Sequence, residues 1–83
     1  MLREKFFDAL GEHDRITVTF RINGEIPTIF RMPIVSVEDY DDEIVIRGDG
    51  GTFLTVSGDP VVDNENDEYY FEAENYQIGI VFS

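Results

Sequence analysis

The chain has no cysteine and no tryptophan, one lysine, one histidine and three prolines. Without cysteine, neither a disulfide framework nor a thiolate metal site is available to staple a small core, so packing alone must hold it. No stretch approaches the length of apolar residues that a spanning helix needs, and the opening segment Met1-Leu2-Arg3-Glu4-Lys5-Phe6-Phe7-Asp8 carries charges where a secretory leader needs an apolar run. The expectation is a cytoplasmic protein. Basic residues are scarce, six against eighteen acids, and that balance argues against direct binding of nucleic acid.

What is present argues for a folded domain. The 83 residues are enough for one unit spanning 1–83 and too few for two. Hydrophobic residues make up 42%, with seven Phe and four Tyr, and they recur along most of the chain rather than leaving a disordered tract. Leu2, Phe6, Ala9 and Leu10 fall on one helical face, with Gly11 placed to end a short helix. Ile16, Val18, Phe20 and Ile22 then alternate with Arg15, Thr17, Thr19 and Arg21, the period of a half-buried strand. Asn23-Gly24 marks a tight hairpin leading into the long apolar segment Ile26 to Val37. Pro27 and Pro33, both at odd positions there, predict that the even residues bond to the first strand unless Pro33 marks a bend.

Further strands are predicted over Glu43 to Arg47, Thr52 to Ser57, Tyr69 to Glu74 and Tyr76 to Phe82, joined by Gly48-Asp49-Gly50-Gly51, Gly58-Asp59-Pro60 and the polar run Asp63 to Glu68. The fold class expected is α+β, mainly β: a short N-terminal helix followed by a five- or six-stranded antiparallel meander or small partly open barrel. Its core should contain Ile16, Val18, Phe20, Ile44, Ile46, Leu54, Val56, Phe71, Ile78 and Ile80, capped by Leu2, Phe6 and Leu10. A leading helix before a bent sheet resembles the Sm-like small barrel in element order. No motif residues accompany that likeness, and the acidity departs from the RNA-binding members.

The placement of charge along the chain carries the functional argument. Residues 1–37 hold five acids and five bases, whereas residues 38–74 hold thirteen acids against Arg47 alone, so the whole excess of −12 belongs to the second half. Duplex DNA carries one phosphate per about 1.7 Å of axis, so this excess matches roughly 20 Å of duplex, within the span of a domain with a radius of gyration near 12 Å. If most of these acids share a face, the surface approaches the charge density of DNA and attracts proteins with basic grooves. Tyr70, Glu72 and Glu74 would project in a row from one strand beside that charge. A purely solubilising surface, or adaptation to high salt, explains acidity as well; salt adaptation would spread acids over the whole chain, and here the first half is balanced.

Catalytic and metal signals are weak. Asp63, Glu65, Asp67 and Glu74 match part of a calcium-loop pattern, but Glu68 stands where the loop needs glycine and the flanks read as strands. His13 lies beside Asp14 at the helix-to-strand junction, and Ser36, Ser57 and Ser83 have no elbow or other motif of a nucleophile around them. The glycine-rich turn at 48–51 lacks the lysine and helix of a phosphate cradle. No enzyme, metal or cofactor is expected.

The reading is a non-enzymatic inhibitor whose acidic surface mimics nucleic acid and occupies the basic channel of a nucleic-acid-binding protein. In charge and size alone it resembles the small anti-restriction and anti-CRISPR proteins that imitate DNA, and the immunity proteins that cover a nuclease. The expected partner-binding residues are Asp39, Asp41, Asp42, Glu65, Asp67, Glu68, Tyr70, Glu72 and Glu74. The alternative is a small structural or adaptor module, homo-oligomeric through sheet edges, whose acidity serves only solubility. Acids gathered on one face favour the first, and an exposed apolar edge with scattered acids favours the second.

Overall fold

A computed structural model describes residues 2–82; Met1 and Ser83, the latter one of the serines considered above, lie outside the described residues. Helix α1 (Leu2–Glu12) precedes β1 (Arg15–Ile22), β2 (Thr28–Pro33), β3 (Ser36–Asp39), β4 (Glu43–Arg47), β5 (Phe53–Ser57), β6 (Val61–Asp63), β7 (Glu68–Glu72) and β8 (Tyr76–Phe82). All pairings are antiparallel. They form a five-stranded sheet in the order β2-β1-β8-β7-β6 and a three-stranded sheet in the order β3-β4-β5. The fold is thus mainly β behind one helix, and the two sheets do not close into a barrel.

Two local features raise the strand count to eight. The first is the break in the long apolar segment 26–37. The Ile34 amide donates to the Asp14 carbonyl at 2.8 Å beside the first sheet, while the next amide, Val35, donates to the Arg47 carbonyl of β4 at 2.8 Å. One residue step hands the chain from one sheet to the other, directly after Pro33, which has no amide to give either. Because Ile34 belongs to the even series, the expected even-to-β1 bonding holds, and the missing donor of Pro33 falls on the free edge. The second feature is Val61–Asp63: Val61 and Val62, in no predicted strand, pair with β7 together with Asp63, the first residue of the expected polar run, as a short edge strand.

The five-stranded sheet is also no simple meander, because β8 lies between β1 and β7, with Ile16 opposite Phe82 and Tyr69 opposite Ile80. The Asn23-Gly24 hairpin is looser than expected. A turn closes with the Glu25 amide donating to the Ile22 carbonyl at 3.0 Å, and pairing with β2 resumes only at Phe20 opposite Thr28. The 48–51 turn forms as read: Gly50 and Gly51 both take left-handed angles, φ 62° and 80°, a combination that other residues adopt only at a cost.

One core joins the helix to both sheets. Phe6, Leu10, Ile16, Val18, Ile44, Ile46, Val56, Phe71, Ile78 and Ile80 are buried together, as the alternation predicts, and Met32 and Tyr69 join them. Three expected members differ. Phe20 and Leu54 are only partly buried and pack against the core from its margin, and Leu2 is exposed. Phe6 is no cap: it is wholly inaccessible and meets the rings of Tyr69, Phe71 and Phe82 at centroid distances of 5.2, 4.9 and 5.6 Å. The helix also runs through Gly11 to Glu12, and Gly11 is not among the residues of positive φ, so it forms no left-handed cap. The Cα radius of gyration is 12.0 Å.

Candidate protein-binding surface

The expected binding residues fall into three places. Asp39, Asp41 and Asp42 sit at the β3–β4 hairpin of the smaller sheet, where the Tyr40 amide donates to the Glu43 carbonyl at 2.8 Å and leaves Asp41-Asp42 as the exposed tip. The Gly58 amide donates to the Asp42 carbonyl at 3.2 Å, so Asp59 is brought beside this turn. Glu65 and Asp67 lie in the exposed β6–β7 loop. There the Asp63 carboxylate folds back to accept from the Glu65 amide at 3.0 Å and from Asn66 Nδ2 at 2.8 Å.

Glu72 and Glu74 lie at the opposite end of β7. Pairing of β7 with β8 ends in a turn closed by the Ala73 amide on the Tyr76 carbonyl at 2.9 Å, so Glu74 is on the hairpin tip and does not extend the row from Tyr70 and Glu72. This also separates Glu74 from Asp63, Glu65 and Asp67, and the partial calcium-loop pattern is not assembled. Around the tip, a shallow depression gathers Glu72 and Glu74 with Glu25, a carboxylate from the charge-balanced half, beside Arg21, Ile22 and Tyr76. Nothing in the linear charge count pointed to Glu25, because the β1–β2 loop meets the β7–β8 turn only through the insertion of β8.

Glu68 departs furthest from expectation. It is the one polar residue buried among those described, 6% exposed, although it lies on the outer face of the large sheet. Its carboxylate accepts from the Tyr70 hydroxyl at 2.5 Å and stands 3.7 Å from the Arg21 guanidinium. Arg21 in turn lies over the Tyr70 ring at 5.6 Å and donates to Gln77 Oε1 at 3.3 Å, and Gln77 donates to Glu72 at 3.2 Å. Tyr70 and Glu68 are therefore parts of an internal network, and the hydrogen bond to Glu68, followed by burial, raises the Tyr70 phenol above its ordinary value of 10.0.

Asp39 is likewise engaged. Arg3 of α1 donates to its carboxylate at 2.6 Å and to the Tyr40 and Glu43 carbonyls at 2.7 and 3.2 Å, tying the helix to the β3–β4 turn. On the same hairpin Glu38 accepts from Arg47 and from the Tyr40 hydroxyl. These two bonds, that of Tyr40 foremost, hold the Glu38 carboxyl below its ordinary 4.5, and the bond to Glu38 raises the Tyr40 phenol.

Among the described residues three ion pairs form, Arg3–Asp39, Arg21–Glu68 and Arg47–Glu38. They occupy three of the thirteen acids in residues 38–74. The other ten have no ion-pair partner there, and all of them except the partly buried Asp63 are exposed. By contrast β1 and β2 contain no acid at all, and Arg15, Arg21 and Arg31 occupy odd positions on their outer face. His13 is exposed, its ring stacked on Phe82 at 5.0 Å, and no helix is long and apolar enough to cross a membrane. No protein-family model, curated protein or solved structure matches the chain.

Proposed function

We propose that the protein is a non-enzymatic inhibitor that binds the basic nucleic-acid channel of another protein through its acidic turns. The observation that carries this reading is the surplus of carboxylates left after internal pairing. Ten acids of the second half remain without an ion-pair partner among the described residues, while β1 and β2 hold none. Concentrated like charge destabilises a compact state through self-repulsion, and it steers a basic partner from a distance. Asp41, Asp42, Glu65, Asp67, Glu72 and Glu74 are the exposed members of the expected set and supply the attraction. Asp39 and Glu68 serve the fold first.

The test is displacement. Proteins of a cell extract are bound to immobilised duplex DNA, and the purified protein is added. A discrete set of polypeptides should be released, about tenfold less effectively once Asp41, Asp42, Glu65 and Asp67 are changed to Asn or Gln. No release, or equal release by the neutralised variant with its fold intact, overturns the reading.

The placement of the acids, by contrast, favours the adaptor alternative. The acids occupy separate turns at both ends of β7 and on the smaller sheet, and β2 is an exposed apolar edge, with Ile29 and Phe30 open to solvent. Under that reading the neutralised variant behaves as the parent and only its solubility falls.

A further inference from the structure

Strand β2 is a free edge of the large sheet. Its even-numbered amides bond toward β1, as the Ile34 amide does on Asp14, so the odd-numbered ones point outward. Pro27 and Pro33 are odd and have no amide hydrogen, which leaves Ile29 and Arg31 as the outward donors, placed symmetrically about Phe30. Thr28, Ile29, Phe30 and Arg31 are all exposed, Ile29 at 66% and Phe30 at 36%. An edge that combines open donors with apolar side chains is a template for another strand.

We propose that β2 pairs antiparallel with β2 of a second copy of this chain about a two-fold axis at Phe30, joining the two large sheets into one. In this register Ile29 lies opposite the partner's Arg31, and Arg31 opposite the partner's Ile29, so both outward donors of each copy meet a carbonyl. Pro27 then faces the partner's Pro33. That pair exchanges no hydrogen bond, so the ladder between the copies consists of the two Ile29–Arg31 pairs. The two outward donors are placed symmetrically about Phe30, so a two-fold axis there closes two reciprocal pairs in which every amide and every carbonyl is used.

Charge selects the same edge. Two chains of net charge −12 repel, and association is least opposed where carboxylates are absent. Residues 26–37 contain no acid, and Arg15 and Arg31 lie on the adjoining outer face. The other free edges are less suited: β3 carries Glu38 and Asp39, β6 ends in Asp63, and β5 is flanked by Asp49 and Asp59.

The absence of cysteine makes single-cysteine variants clean reporters. Two Phe30→Cys residues would face each other across the axis at a non-hydrogen-bonded position, with Cα atoms about 4.5 Å apart and within disulfide reach. Two Ile29→Cys residues are offset diagonally and out of reach, and Thr55→Cys on β5 reports the competing edge. Phe30→Cys should oxidise to a covalent dimer at least about tenfold faster than either of the others. The parent protein in about 0.5 M salt, where repulsion is screened, should sediment with twice the 9.5 kDa chain mass. Ile29→Pro removes one outward donor without touching the β1 ladder and should sediment as a monomer with an unchanged circular dichroism spectrum, while Ile29→Val keeps the dimer. A parent that stays monomeric up to about 1 mM, faster cross-linking through Thr55→Cys, or a folded Ile29→Pro dimer overturns the proposal. Should Ile29→Pro fail to fold, the comparison of Phe30→Cys with Ile29→Cys still decides it.

Discussion

The carboxylate of Glu68 lies directly over Gly79 of the neighbouring strand: a Cβ on Gly79 would stand 2.1 Å from Glu68 Oε2 and 3.1 Å from the Arg21 guanidinium. The absent side chain is what lets a charged group lie flat on the outer face of the sheet, covered by Tyr70 and approached by Arg21. Gly79→Ala should therefore expel the carboxylate into solvent. The loss of the buried hydrogen bond, partly offset by the lower backbone entropy of alanine, should cost about 1 kcal/mol in urea unfolding. The Tyr70 phenol should also titrate closer to its ordinary value. A variant as stable as the parent with the phenol unmoved would show that Glu68 is held by other contacts.

Phe6 sets the largest single cost in the core. It is fully inaccessible and meets the rings of Tyr69 and Phe71 on β7 and of Phe82 on β8, so Phe6→Ala should lose about 3–5 kcal/mol, enough to unfold a small domain. Phe20→Ala, at the margin of the core, should lose less than half as much. Thermal or denaturant melts of the two variants check the order.

Alkaline stability follows from the tyrosines. Tyr70 is raised by its hydrogen bond to Glu68, Tyr40 by its bond to Glu38, and Tyr69 by burial and then by Asp67. In each case the folded protein holds the phenol proton more tightly than the unfolded chain. Their contribution is whole below the ordinary value of 10.0 and is lost as pH rises through the raised values. Unfolding followed by phenolate absorbance should show a fall in stability above that pH, and Tyr70→Phe should shrink it. Glu38 has the opposite sign: its lowered value adds stability above 4.5 that disappears as pH falls through the folded value.

Arg3 links α1 to the β3–β4 turn through Asp39 and two carbonyls. Arg3→Ala should cost about 1 kcal/mol, most of it from the carbonyl contacts, because an exposed ion pair alone contributes only about 0.2–1 kcal/mol. A double-mutant cycle with Asp39→Asn separates the two. A coupling energy equal to the whole effect of Arg3→Ala would contradict this division.

Elements whose pairing is written in local alternation were legible in the chain. β1, β4 and β8 follow from period two, and the turn at 50–51 from its glycines. What the sequence concealed depends on contacts between distant residues. The split of segment 26–37 into two sheets requires the carbonyls of Asp14 and Arg47 on either side of one residue step. The insertion of β8 beside β1 could not be read from short connections, which favour neighbours in order. Among the candidate residues, the exposure of Asp41, Asp42, Glu65, Asp67, Glu72 and Glu74 was readable from their turn-rich surroundings. The burial of Glu68 was not, since period two places it correctly on the outer face and only Gly79, Tyr70 and Arg21 close over it.

The pairing of β1 with β8 joins residues as far apart as Ile16 and Phe82, and it governs the order in which this protein can form during synthesis. The α1–β1–β2 segment can emerge and pair locally, yet β1 keeps one side unsatisfied until β8 has been made, because no other strand fills that place. Closing so long a loop is entropically slow. A nascent chain arrested before residue 76 should therefore bind chaperones and stay sensitive to protease. Completion of β8 should convert it in one cooperative step to the resistant form.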